Sequence, residues 1–204
     1  MKLNKKLILF DLDGVLIDSK ENMKLSWNFV KKKYSLETNF EDYFKLIGKP
    51  FQDILHELGI RKNKKKIEID FQEKSKLHIG HISFYNNVYE ALLLLRESNK
   101  YKTGIVTSKD SLRTKIITSK LPQFDIVSCP VNNMKGKPEP DQILFAMSQT
   151  SCSNEETIYI GDMEVDKIAA EKAKIDFLYA EWGYGSMQSA NSIKNISEFM
   201  ELLT

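Results

Sequence analysis

Apolar positions along the chain fall into two textures. Between residues 20 and 85 they recur at helical spacings of three and four: Met23, Trp27, Val30 and Tyr34 form one stripe, and Phe40, Phe44 and Ile47 a second. A third stripe, Phe51, Ile54, Leu55 and Leu58, starts after Pro50 and closes at Gly59. From Asn63 to about Gly80 the helical pattern is weaker, with Ile67 and Phe71 its clearest pair. This whole stretch reads as helix, with no strand pattern. Outside it, short apolar runs at 7–10, 103–107, 124–127, 157–161 and 177–180 alternate with helical stripes at 87–98, 109–120, 141–149, 164–174 and 197–203. Such alternation is the signature of βαβ units. It predicts an α/β core with a five-stranded parallel sheet, built from 1–19 and 86–204 and interrupted by a helical insert at 20–85.

Composition supports one good core and a small accessory unit, because 204 residues exceed the roughly 100–150 of a typical single domain. Charged residues make up 28% of the chain but sum to only +2, so there is no single-sign field of the kind nucleic-acid binding needs. The basic run at 61–66 reads as a solvated helix entrance, and His78 and His81 as surface or packing residues. Cys129 and Cys152 are too few for a disulfide framework and form no metal-ligand pair, which predicts two reduced thiols. With no signal-peptide pattern and no apolar run near the ~18 residues of a membrane span, a soluble, cytoplasmic protein is expected.

The first apolar run ends in two carboxylates, Asp11 and Asp13, with Gly14 permitting a turn behind them. In an open parallel sheet the ligand site lies at the carboxyl ends of the strands. Collecting the polar residues there adds Thr107, Ser108, Asp162 and Asp166, with Lys137 in a loop. Four converging carboxylates repel one another unless countercharge is supplied, and one lysine is insufficient. Hard oxygen ligands without imidazole or thiolate point to Mg²⁺. An aspartate is ionised at neutral pH and attacks phosphorus without a base to activate it. Asp13, two residues on, is placed to protonate a leaving alkoxide and then deprotonate water. Thr107 and Ser108 offer donors to phosphoryl oxygens, and Lys137 offsets charge shared by phosphate and Asp11.

The motifs Asp11-Leu12-Asp13-Gly14-Val15, Ile105-Val106-Thr107-Ser108-Lys109, Gly136-Lys137-Pro138-Glu139-Pro140-Asp141 and Ile160-Gly161-Asp162-Met163-Glu164-Val165-Asp166 occur in this order. Together they resemble the haloacid dehalogenase superfamily, specifically its phosphoglycolate-phosphatase-like hydrolases. The resemblance implies a Rossmann-like core with the first strand central, and a helical cap between the first and second motifs. It implies Asp11 as nucleophile and Mg²⁺ ligand, Asp13 as acid/base and, through its main-chain carbonyl, a metal ligand, and Asp162 as a further ligand. Asp166 lies in or just outside the metal shell in such proteins. Thr107 and Lys137 bind the phosphoryl group there, helped by backbone amides near Leu12 and Ser108. Gly48-Lys49-Pro50 matches the cap loop that reaches over the substrate, making Lys49 the cap's specificity candidate. Trp182-Gly183-Tyr184-Gly185 resembles a Tyr-Gly loop bordering the site. Asn86-Asn87 stands where Pro-Gly is frequent, a departure confined to the hinge.

The activity this implies is Mg²⁺-dependent hydrolysis of a small phosphate ester through a phospho-aspartate, without nucleic-acid or membrane partners. A sugar-phosphate mutase and a non-catalytic binding module are the alternatives. A dehalogenase is disfavoured, because Asp13 is superfluous when the leaving group is halide. Neither the particular substrate nor the oligomeric state follows from the sequence.

Overall fold

The computed structural model describes residues 5–131, 133–189 and 191–203. In chain order it runs β1 (Leu7–Phe10), β2 (Ile17–Asp18), α1 (Lys20–Tyr34), α2 (Phe40–Phe44), α3 (Phe51–Glu57), α4 (Lys64–Leu77), a 3₁₀ turn (Ile79–His81) and β3 (Ser83–Phe84). It continues with α5 (Val88–Glu97), β4 (Lys102–Val106), α6 (Ser111–Thr118), β5 (Ile126–Ser128), α7 (Asp141–Thr150) and β6 (Thr157–Gly161). The chain closes with α8 (Glu164–Ala173), β7 (Asp176–Ala180), β8 (Ser192–Ile193) and α9 (Ile196–Leu203).

Six strands form one parallel sheet in the order β5-β4-β1-β6-β7-β8, one more than the sequence pattern predicts. The addition is β8, whose two residues pair with Tyr179 and Ala180 and are too few to carry any periodicity. β1 is interior, with Leu7 in register with Lys102 on one side and Thr157 on the other. Its continuous apolar run follows from burial on both faces. Ile8 and Phe10 pack with Val88, Leu92, Leu95, Ile196 and Phe199 under α5 and α9, whereas Leu7 and Leu9 pack with Ile143, Ala146, Ala169 and Ala170 under α7 and α8.

Helices α1–α4 bury a separate cluster made of Met23, Trp27, Val30, Phe40, Tyr43, Ile54, Leu55, Ile67 and Phe71. Trp27 stacks on Tyr43 with ring centroids 4.5 Å apart and planes 14° from parallel. The stretch 20–85 is not helix throughout. Ser83 and Phe84 pair antiparallel with Asp18 and Ile17, so a two-stranded ribbon carries both chain crossings between the sheet and the helices. Again the strands are two residues long, below the reach of a periodic pattern.

Candidate active site

The carboxyl edge of the sheet gathers the residues that the motifs single out. β1 delivers Asp11, β4 delivers Thr107, and β6 delivers Asp162, while Asp166 lies in the first turn of α8. Ligand atoms of Asp11, Asp162 and Asp166 all lie within 4.8 Å of one another, and all three residues are buried. Lys137 is fully buried among them. Its Nζ lies 3.0 Å from Asp11 Oδ1 and 2.6 Å from Asp166 Oδ1, and it donates to Tyr159 Oη at 3.2 Å. Burial works against the Lys137 ammonium, but Asp11 and Asp166 more than offset it and hold its pKa above the usual lysine value.

Three carboxylates facing one ammonium leave the cluster short of positive charge. The deficit appears as raised pKa values. Burial, aided by Asp166 and Asp13 and opposed by Lys137, pushes the Asp11 carboxyl up to about 7. Asp162 is raised well above the ordinary carboxylate range by burial and then by Asp166 and Asp11. Asp162 Oδ2 accepts from the Tyr184 amide at 2.7 Å, yet its buried Oδ1 has no hydrogen-bond partner among the described residues. A buried carboxylate oxygen left unpaired is costly. An oxygen-seeking divalent cation satisfies both that atom and the charge deficit, so these residues fit Mg²⁺. The backbone is shaped around Asp162: a Cβ at Gly14, where φ is +87°, would meet Asp162 Oδ2 at 2.1 Å, and one at Gly183 would meet Asp162 Cβ at 2.2 Å.

Asp13 is not part of this cluster. Its carboxylate accepts from Ser19 Oγ and pairs with buried Lys109 Nζ at 3.0 Å. Asp166 is engaged on both oxygens, by Lys137 on Oδ1 and by the Met163 amide on Oδ2 at 3.0 Å. Thr107 Oγ1 accepts from the Lys109 amide at 3.1 Å. Ser108 Oγ donates to the Gly48 carbonyl at 2.6 Å, so its hydroxyl ties the loop before α3 to the sheet edge. Lys49 pairs with both carboxylate oxygens of Glu57 at 2.8 Å. The Trp182–Gly185 loop does border the site: Trp182 Nε1 donates to the Val15 carbonyl at 3.0 Å, and Tyr184 Oη donates to Asp18 Oδ1 at 3.0 Å while accepting from the Ser19 amide at 2.6 Å.

A cavity of about 80 Å³ opens between this edge and the helices, lined by Asp11, Asp13, Thr107, Ser108, Lys109 and Lys137 below and by Tyr43, Ile47, Lys49, Phe51 and Phe71 above. Two of the site's buried side chains escape the sequence reading. Tyr159 sits mid-strand in β6, where an aromatic reads as core, and its hydroxyl contacts Val106 O, Asp166 and Lys137. Arg113 reads as a charge on an ordinary helix, yet it is 8% exposed and lines the cavity. His78 and His81 join no cluster of potential metal ligands among the described residues.

A buried acid cluster on the carboxyl edge of a parallel sheet, roofed by helices, defines an α/β hydrolytic enzyme. The chain belongs to the haloacid dehalogenase-like hydrolase family, whose sequence model matches residues 8–180. It is similar to pyrophosphatase PpaX of Oceanobacillus iheyensis, at 25% identity over 193 residues covering 93% of this chain and 88% of the relative. Against PpaX of Listeria welshimeri the identity is 30%, covering 82% and 79%. Among solved structures, a Lactobacillus plantarum protein assigned as a phosphoglycolate phosphatase superposes with a TM-score of 0.89, at 21% identity and covering 99% of this chain and 100% of that one.

Proposed function

We propose that the protein is a Mg²⁺-dependent phosphatase acting on a small phosphorylated metabolite through a phospho-aspartate. The observation that carries this reading is the Asp11–Lys137 pair on the floor of a small cavity, beside a buried Asp162 oxygen with no hydrogen-bond partner among the described residues. Asp11 attacks phosphorus, forming an Oδ–P bond as the P–O bond to the leaving group breaks. Asp13 exchanges its contacts with Ser19 and Lys109 for the leaving oxygen and gives it a proton. It then takes a proton from a water that attacks the acyl phosphate and returns Asp11 to its starting state. Thr107 and the amides near Leu12 and Ser108 hold the phosphoryl oxygens, and Lys137 counters the charge shared between phosphate and Asp11.

Asp11, Asp162 and the Asp13 main-chain carbonyl would hold Mg²⁺, with Asp166 behind them orienting Lys137. When bound, the ion withdraws charge from the phosphoryl oxygens. Residues 20–85 act as a cap, hinged at the β2–β3 ribbon, with Lys49 near the substrate. PpaX relatives make inorganic pyrophosphate the first substrate to test, and we assign the enzyme to the cytoplasm. The decisive experiment is phosphate release from p-nitrophenyl phosphate and from pyrophosphate with Mg²⁺ present. Asp11→Asn is expected to abolish both activities, and turnover retained by that variant would refute the mechanism.

A further inference from the structure

One residue of the loop after β7 touches both the acid cluster and the chain crossing into the helices. The Tyr184 amide donates to Asp162 Oδ2 at 2.7 Å. At the far end of the same residue, the phenol accepts from the Ser19 amide at 2.6 Å and donates to Asp18 Oδ1 at 3.0 Å, which pins the joint between β2 and α1. Ser19 is fully buried, and its own hydroxyl donates to Asp13. The Tyr184 ring meets Phe44, the last residue of α2, edge to face with centroids 5.1 Å apart. The loop also lies hard against Asp162. A Cβ at Gly183 would meet Asp162 Cβ at 2.2 Å, and one at Gly185 would meet the Asp162 carbonyl oxygen at 1.9 Å. With so little slack, a displacement of the joint that drags the phenol is passed on to Asp162 rather than absorbed in the loop.

We propose that Tyr184 is a positioning residue that couples the Mg²⁺ site to the hinge of the cap, holding Asp162 ready for the ion only while its phenol is seated between Asp18 and Ser19. This rests on the Mg²⁺ reading above. The Tyr184 amide occupies Asp162 Oδ2 and leaves the unpartnered Oδ1 for a cation. Coupling of this kind is reciprocal: whatever the seated phenol adds to ion affinity, the ion adds to the seating of the phenol. Tyr184→Phe isolates the effect, because it removes the acceptor of the buried Ser19 amide while keeping the ring on Phe44 and the amide on Asp162.

The test measures the Mg²⁺ Kd of the full chain by calorimetry in wild type and Tyr184→Phe, together with hydrogen exchange of the Ser19 amide with and without the ion. Tyr184→Phe is expected to weaken Mg²⁺ binding by about fivefold or more, as for typical coupling between linked sites. In wild type, saturating Mg²⁺ should slow exchange at Ser19 by a similar factor. In Tyr184→Phe that exchange should be faster and indifferent to the ion. An unchanged Kd in Tyr184→Phe overturns the coupling and leaves Tyr184 a packing residue. So does wild-type exchange at Ser19 that ignores saturating Mg²⁺, a result that needs no variant to fold. Failure of the wild type to bind Mg²⁺ at all would overturn the metal reading itself and the coupling with it, an outcome distinct from binding that ignores the phenol.

Discussion

Replacing Lys137 by Met removes the only ammonium that the described residues place inside the acid cluster, while keeping a side chain of similar length. In the folded chain Nζ is 3.0 Å from one carboxylate and 2.6 Å from another, and neither lysine nor Asp166 has any exposed side-chain surface. Removing one partner of a buried ion pair costs about 3–5 kcal/mol, because the remaining charge keeps its desolvation penalty without its attraction. Here two carboxylates are orphaned, so the upper half of that range is expected. For a chain of this size each kcal/mol lowers Tm by about 2–4 °C, which places the shift at about 8–20 °C. The assay is urea unfolding in chelator, followed by the fluorescence of Trp27 and Trp182, with the midpoint falling and the slope unchanged. A second variant isolates the electrostatic cause: adding Asp166→Asn to Lys137→Met should restore part of the loss, making the double variant less destabilised than the sum of the singles. A loss below about 1 kcal/mol, or strict additivity, would refute the view that Lys137 is the cluster's essential countercharge.

Saturating Mg²⁺ should stabilise the wild type by about 2.7 kcal/mol at a hundredfold excess over Kd, and Asp162→Asn should remove most of that gain in a thermal melt. Gly14→Ala puts a side chain on a φ of +87° with its Cβ 2.1 Å from Asp162 Oδ2, and should lower stability by about 1–3 kcal/mol in chemical denaturation. Asp70 is held below the usual carboxylate range by Lys33 and Tyr34, at 2.6 Å and 2.5 Å. Because its pKa is lower folded than unfolded, its stabilisation is present above the unfolded pKa and lost as pH falls through the folded one. Asp70→Asn should therefore flatten the acid side of the stability profile by no more than about 1 kcal/mol, and an unchanged profile would sink the assignment.

How much of this was legible beforehand depends on whether a residue's surroundings are local. The β1 run, the helical stripes and the four motifs sit in contiguous segments, so their spacing alone identifies strand, helix and turn. Asp11 and Asp162 converge because strand ends converge, which the topology of a parallel sheet requires, and the connection from β5 to α7 brings Lys137 to the same edge. β8 and the β2–β3 ribbon escaped because a strand of two residues owes its existence to its neighbour rather than to its own composition. Arg113 escaped for a related reason. Its burial depends on Ser75 and Asn22, which are 38 and 91 positions away and reach it only once α1, α4 and α6 have packed. Tyr159 is the reverse case, a core aromatic by pattern whose polar tip finds the site.

The β2–β3 ribbon bears on how such a chain can change over time. Because Ile17 faces Phe84 and Asp18 faces Ser83, the ingoing and outgoing strands are immediate neighbours. The chain therefore enters and leaves the helices at one place, and beyond it only side-chain contacts such as Ser108 to the Gly48 carbonyl and Arg113 to Ser75 join them, among the described residues, to the rest. The entropic cost of closing a segment between fixed ends rises only with the logarithm of its length, about 0.6 kcal/mol per doubling. The intervening helices can thus be lengthened, shortened or exchanged as a cassette with little disturbance to the sheet below. On the reading proposed above, in which the helices choose the substrate, selection on that choice and selection on phosphoryl chemistry act on nearly separable pieces of one polypeptide.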